Sequence, residues 1–282
     1  MRFTYTILSL LLGLQSFGQS SSLLWKLQGK DIKKPSYLFG TIHMIPSKDY
    51  FEPAGMQEAF NQSELLVGEM DMSDMTSMTM EMMANLKMKG DTTLDMLLSK
   101  EDYKKINDKL VSTIGMGLDF MKTFKPMILS TMMMQGITKE ESKSYELELL
   151  EKAKNKGIPM AGLETLQEQM SFLDALPYTY QAKELVKMLD QDSDDGEFQK
   201  MVDIYKTQNL DAMVDMIKEQ GESSVMEDIL LNNRNKNWIA KIEKFASEKP
   251  TFFAVGAGHL GGPKGIIALL KEQGYSVTPV VK

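Results

Sequence analysis

Apolar residues follow two rhythms along this chain. Near both ends they cluster in runs of strand length, and between the ends they recur at helical spacing. Residues 23–27 fit a strand, and Lys33-Lys34-Pro35 fits a turn after it. Residues 37–39 read as a compact buried strand leading into Gly40-Thr41-Ile42-His43. Residues 53–60 read as a short helix with an early proline, and residues 64–67 as a strand ending in Gly68-Glu69. From Ser73 to about Leu231 the pattern is mostly helical and rich in Met, Lys and Glu. One strand, residues 158–161, interrupts it after the helix stop Lys156-Gly157. Residues 144–153 form an amphipathic pattern, and residues 236–246 close the helical region. Residues 251–255 are the strongest buried strand, running into Gly256-Ala257-Gly258-His259. A helix over 265–271 and a strand over 276–281 follow.

Strand–helix alternation at both ends predicts an α/β fold: a mainly parallel central sheet flanked by helices, with a large Met-rich helical insertion. The expected organisation is one domain over residues 23–282, with the insertion at about 73–231.

Residues 1–18 have the form of a signal peptide. Arg2 supplies one charge, residues 3–14 are almost wholly apolar, and small and turn-forming residues follow. Cleavage is expected after Gly18, leaving Gln19 first. The apolar run is short for a span, which needs about 20 residues, and no cysteine follows it for lipidation. The expected mature protein is therefore soluble and exported to the periplasm or beyond, without stable membrane insertion. With no cysteine in 282 residues, disulfides, thiol catalysis and thiolate metal sites are excluded. A net charge of −7 argues against nucleic acid as a partner.

The chain has 25 methionines. Met75, Met78, Met82 and Leu86 form one stripe, and Met132-Met133-Met134 a second group. The plain reading is helix core and gap filling. The alternative is a deformable apolar surface for a peptide or lipid-like ligand. The spacing does not demand a soft-metal site.

His43 and His259 are the only histidines. Each comes three residues after a glycine, just past a buried strand. In parallel α/β sheets, ligands bind at the carboxyl ends of the strands. Glu69 occupies the same position after its own strand. Two histidines and a carboxylate make a three-ligand metal set with a position left for water. The plain alternative is that each histidine is a buried turn residue. Gly40, Gly256 and Gly258 are expected to permit sharp turns there and to let the backbone approach a ligand closely. Neither a phosphate-binding loop nor a serine nucleophile elbow is present: Lys264 is followed by Gly265, and no G-x-S-x-G occurs.

At these residues the sequence resembles the TraB/PrgY/GumN family. Residues 37–43, Tyr-Leu-Phe-Gly-Thr-Ile-His, and residues 255–262, Val-Gly-Ala-Gly-His-Leu-Gly-Gly, match its two signature segments. Gly157-Ile158-Pro159 with Gly162-Leu163-Glu164-Thr165 and Glu168-Gln169 resembles its middle motif. Arg234-Asn235 with Trp238 resembles the segment before the last buried strand. The family is similar to the Tiki metalloproteases and, more distantly, to erythromycin esterases. The resemblance implies His43, Glu69 and His259 as the central set, with Glu164 and Arg234 lining the site. Glu146, after Ser144-Tyr145, departs from the Asp expected there after a glycine.

The resulting expectation is a periplasmic metal-dependent hydrolase, most like a peptidase, acting on a peptide or other small extracytoplasmic substrate. His43 and His259 bind zinc, manganese or cobalt; Glu69 is either third ligand or general base; Arg234 stabilises negative charge. The alternatives are a non-catalytic haem- or peptide-binding protein using the same histidines, and a metal-free hydrolase in which Glu69 orients His43 as base.

Overall fold

A computed structural model describes residues 21–137, 141–191, 196–220 and 227–281. The expected leader and its cleavage point lie outside these residues. Eight strands are described: β1 (Leu24–Gly29), β2 (Ile32–Thr41), β3 (Ile45–Pro46), β4 (Leu65–Gly68), β5 (Ser142–Lys143), β6 (Met160–Gly162), β7 (Thr251–Gly256) and β8 (Ser276–Pro279). Six form one sheet in the order β6-β4-β7-β2-β1-β8. The first four run parallel, and β1 is antiparallel to both neighbours. With helices packed around it, this is the expected mainly parallel α/β architecture.

Position in the sheet explains the sequence of each strand. β7 lies between β2 and β4 and is buried from Thr251 to Val255, so it reads as an unbroken apolar run. β2 is exposed at Lys33 and Lys34 and buried from Ser36 to Thr41, the part paired with β7. The chain reverses at Gly29-Lys30, both with positive φ, rather than at Lys33-Lys34-Pro35. Those three residues belong to β2, where the pairing with β1 is irregular between Leu27 and Gly29 and Pro35 has no ladder role to lose. The first α-helix is Met56–Gln62 and begins after Gly55, whose φ is +77°, three residues later than the proline pattern suggested.

Parallel pairing brings four strand ends to one rim. Thr41 pairs with Gly256, Gly68 with Ala254, and Gly68 with Gly162. Whatever follows β2, β4, β6 and β7 therefore meets at the same edge.

Between β4 and β7 the described residues are mostly helical. The strand near residue 160 is only three residues long. A second strand, β5, pairs with β3 in a separate two-stranded sheet that the hydrophobic pattern did not signal. Met78, Met82 and Leu86 face inward against Ile128, Leu166 and Met170. Met75 does not complete this stripe. It is exposed, as are Met80 and Met83, and the helix Met75–Asn85 has no fully buried residue. Met133 is fully buried in a neighbouring helical core with Leu129 and Leu185, which is the plain gap-filling role. No helix among the described residues is long and apolar enough to cross a membrane.

Candidate functional site

Four of the five candidate residues stand just past a strand end. His43 follows β2 by two residues, Glu69 directly follows β4, Glu164 follows β6 by two, and His259 sits in the single turn Ala257–Leu260 after β7. Arg234 comes from the helix Asn233–Glu248, directly after a π-helical turn at Asp228–Asn232. That turn is tied locally: Leu230 O accepts from Arg234 Nη1 at 3.0 Å. Breaks of this kind are frequent at functional sites.

Arg234 joins the buried part of the site. Its Nη2 is 2.6 Å from Glu69 Oε2 and 2.6 Å from Glu164 Oε1, and its Nε donates to Glu164 Oε2 at 3.2 Å. Glu164 also accepts from Trp238 Nε1 and Gln169 Nε2, both at 3.2 Å. Glu69 Oε1 accepts the Gly256 amide at 2.9 Å. His259 Nε2 meets Arg234 Nη1 at 3.2 Å and lies 3.8 Å from Glu69 Oε1, while Nδ1 bonds Asn235 Oδ1 at 2.6 Å. The Trp238 ring packs on both the imidazole and the guanidinium.

His43 differs. Its ring is 79% exposed, at the mouth of the site, and its Nδ1 is 3.1 Å from Glu146 Oε1. Glu146 is held by Thr41 Oγ1 at 2.7 Å and Ser144 Oγ at 2.8 Å. Glu146, not Glu69, orients His43. Sequence reasoning had singled out Glu146 only as a departure, and had quoted Asn235 and Trp238 without a role. The usable signal was spacing along one helix: Trp238 lies four residues after Arg234 and three after Asn235.

The electrostatics separate the two histidines. The hydrogen bond to Glu146 raises His43 to about 9, against the lowering effect of its surroundings, and water at the open ring screens that pair. Burial lowers His259 to about 4, aided by Arg234 and opposed by Glu69. Burial alone would raise Glu69, but His259, Arg234, His43 and the Gly256 amide bring it down to about 2. Burial pushes Glu164 up, opposed by Arg234. With His259 neutral, one guanidinium stands between two carboxylates.

The glycines serve space rather than turning. None of Gly40, Gly256 and Gly258 has a positive φ. A Cβ on Gly256 would crowd Glu69 Oε1 at 3.3 Å, and one on Gly40 would meet Ala257 Cα at 3.1 Å.

The donor types suit a divalent metal. Both histidines commit Nδ1 to an oxygen, the pattern that leaves Nε2 as the ligating nitrogen. Glu69 is ionised, and the carboxylates outnumber the guanidinium. The donors are not pre-assembled, however: among the described residues no three His, Asp or Glu side chains form a metal-binding group, and Arg234 stands against His259 Nε2. Beside the site, a cleft of about 560 Å³ is lined by Met70, Asp71, Met78, Glu164, Glu168 and Phe245, among others.

The chain belongs to the TraB/PrgY/gumN family, which it matches over residues 23–279. It is 22% identical to the metalloprotease TIKI2 of Danio rerio, with 91% of this chain and 60% of that protein aligned. It is 22% identical to the metalloprotease TIKI1 of Danio rerio and 23% to that of Homo sapiens, again over 91% of this chain and over 63% and 61% of theirs. The chain thus spans about three fifths of these relatives' length. No solved structure matches it significantly.

Proposed function

We propose that this protein is an exported, periplasmic metal-dependent hydrolase of the peptidase kind, with its site at the carboxyl edge of the sheet. The observation that carries this reading is that both histidines are tied back through Nδ1, on the same strand-end rim as the ionised Glu69. Similarity to metalloproteases supports it. His43, His259 and Glu69 would hold the ion. A bound zinc, manganese or cobalt ion would supply Lewis acidity and a more acidic water.

The chain's own groups supply the rest. Glu146 fixes the His43 ring so that Nε2 is the nitrogen available for chemistry at the open mouth. Arg234, whose five N–H groups are bonded to Glu69, Glu164, the Leu230 carbonyl and His259, would act on negative charge developing on a substrate carbonyl oxygen through its field, and Glu164 keeps it in place. Glu69, held below the usual carboxylate range by Arg234 and the Gly256 amide, is a weak general base at neutral pH. The Met-lined cleft beside Glu164 is where a peptide would lie.

One observation favours a second reading. Arg234 Nη1 already engages His259 Nε2, and Glu146 already orients His43. That arrangement also suits a metal-free hydrolase in which His43, protonated at neutral pH, becomes the base as pH rises toward about 9. Elemental analysis of natively purified protein, beside peptide hydrolysis before and after chelation, separates the readings. Bound metal, with activity lost on chelation and restored by metal, is expected. Activity surviving exhaustive chelation selects the metal-free route. A Soret shift with added haem, lost in His43→Ala and His259→Ala, would select the non-catalytic haem-binding alternative. N-terminal sequencing that found intact Met1 in the membrane fraction would overturn the exported location.

A further inference from the structure

His259 lies between two groups whose hydrogen-bonding capacity is one-sided. Asn235 Nδ2 is 3.0 Å from the Lys264 carbonyl, which can only accept. This orients the amide so that Oδ1 faces His259, 2.6 Å from Nδ1. An oxygen there requires the proton on Nδ1. On the other side of the ring stands Arg234 Nη1, 3.2 Å from Nε2. A guanidinium has five donors and no acceptor, so Nε2 must be the acceptor. Glu69 Oε1, at 3.8 Å, is beyond hydrogen-bond range. Reversing the amide would set oxygen against the Lys264 carbonyl. Reversing the tautomer would set N–H against Arg234. Networks of this kind are what assign amide and imidazole orientation. Asn235 is 1% exposed and His259 4%, which leaves water little access to substitute for the amide.

We propose that Asn235 is a positioning residue, fixing the orientation and the Nδ1–H tautomer of His259 so that its Nε2 lone pair faces the Glu69–Arg234 cluster. Asn235 acts through His259. The assignment stands beside either hydrolase reading, since both place an unprotonated Nε2 in the site.

The test is a long-range ¹⁵N–¹H spectrum of the histidine rings in chelator-treated protein. With only two histidines in the chain, the His43→Ala variant assigns both rings. The wild-type His259 ring is expected to show a protonated Nδ1 and an unprotonated Nε2. Asn235→Leu, which strands the buried Nδ1 proton without an acceptor and leaves only Arg234 to hold the ring, should give a mixture of tautomers while the His43 ring pattern is retained. A wild-type His259 carrying its proton on Nε2 would overturn the proposal, as would an Asn235→Leu protein with its tautomer unchanged. The wild-type spectrum decides even if the leucine variant does not fold. Neither metal content nor hydrolysis enters this readout, so it can fail while the hydrolase reading stands, and the reverse.

Discussion

Arg234 Nη2 stands 2.6 Å from Glu69 Oε2, and the same nitrogen is 2.6 Å from Glu164 Oε1. One guanidinium thereby pairs with carboxylates delivered by two different strands. Removing one partner of a buried ion pair costs about 3–5 kcal/mol, because the remaining charge is left unpaired. Arg234→Met should therefore lower stability on that scale in denaturant unfolding and abolish hydrolysis. Arg234→Lys should not restore activity, since an ammonium cannot reproduce the planar two-carboxylate geometry. Full activity in the lysine variant would remove Arg234 from the proposed chemistry.

The Glu69→Gln variant tests the role of that carboxylate. Because Glu69 is held near 2, the expected outcome is loss of metal and turnover together, as for a ligand. Metal content by elemental analysis, measured beside activity, checks it. A variant that keeps its metal and loses only turnover would make Glu69 the base after all.

Glu146 raises His43 to about 9 from an ordinary 6.5. In chelator-treated protein, Glu146→Gln should move the His43 midpoint back toward the ordinary value, read by ring-proton NMR across pH. The sign follows from the shift. A raised folded-state value contributes stability that is complete below pH 6.5 and is lost as pH rises through about 9. That slope should disappear in the variant. An unmoved His43 midpoint would show that Glu146 does not control it.

Away from the site, Lys125 is almost fully buried at the start of the helix Pro126–Ile137, 2.9 Å from Asp174, which also pairs with Lys89 at 3.0 Å. Burial would raise Asp174, but Lys125 and Lys89 bring it below the usual 3.8. Its contribution to stability is therefore present above about pH 3.8 and is lost as pH falls through the depressed folded-state value. Asp174→Asn should destabilise by about 3–5 kcal/mol near neutral pH, through the stranded Lys125. The deficit should shrink in acid. Chemical unfolding at two pH values measures both, and equal deficits at both would refute the pairing argument.

The sequence by itself determined the sheet and its rim. Continuous apolar runs such as residues 251–255, bounded by Pro250 and Gly256, read as buried strands, and a glycine-bounded exit after each placed His43, Glu69 and His259 at strand ends. Backbone periodicity is local, so it is legible. It also specified the helical character of the Met-rich stretch, though not that Met75 turns outward or that Lys33-Lys34-Pro35 lies within a strand. Those depend on which neighbour covers each face. Tertiary structure alone decided the pairings that give the site its chemistry: Glu146 on His43 across 103 positions, Arg234 between Glu69 and Glu164, Asn235 on one side of His259 and Arg234 on the other. Hydrogen bonds and charge act over a few ångströms of space whatever the separation along the chain. Which carboxylate meets which histidine was therefore fixed only when the strand order β6-β4-β7-β2 brought four distant exits together and the pairing of β3 with β5 set Glu146 beside His43.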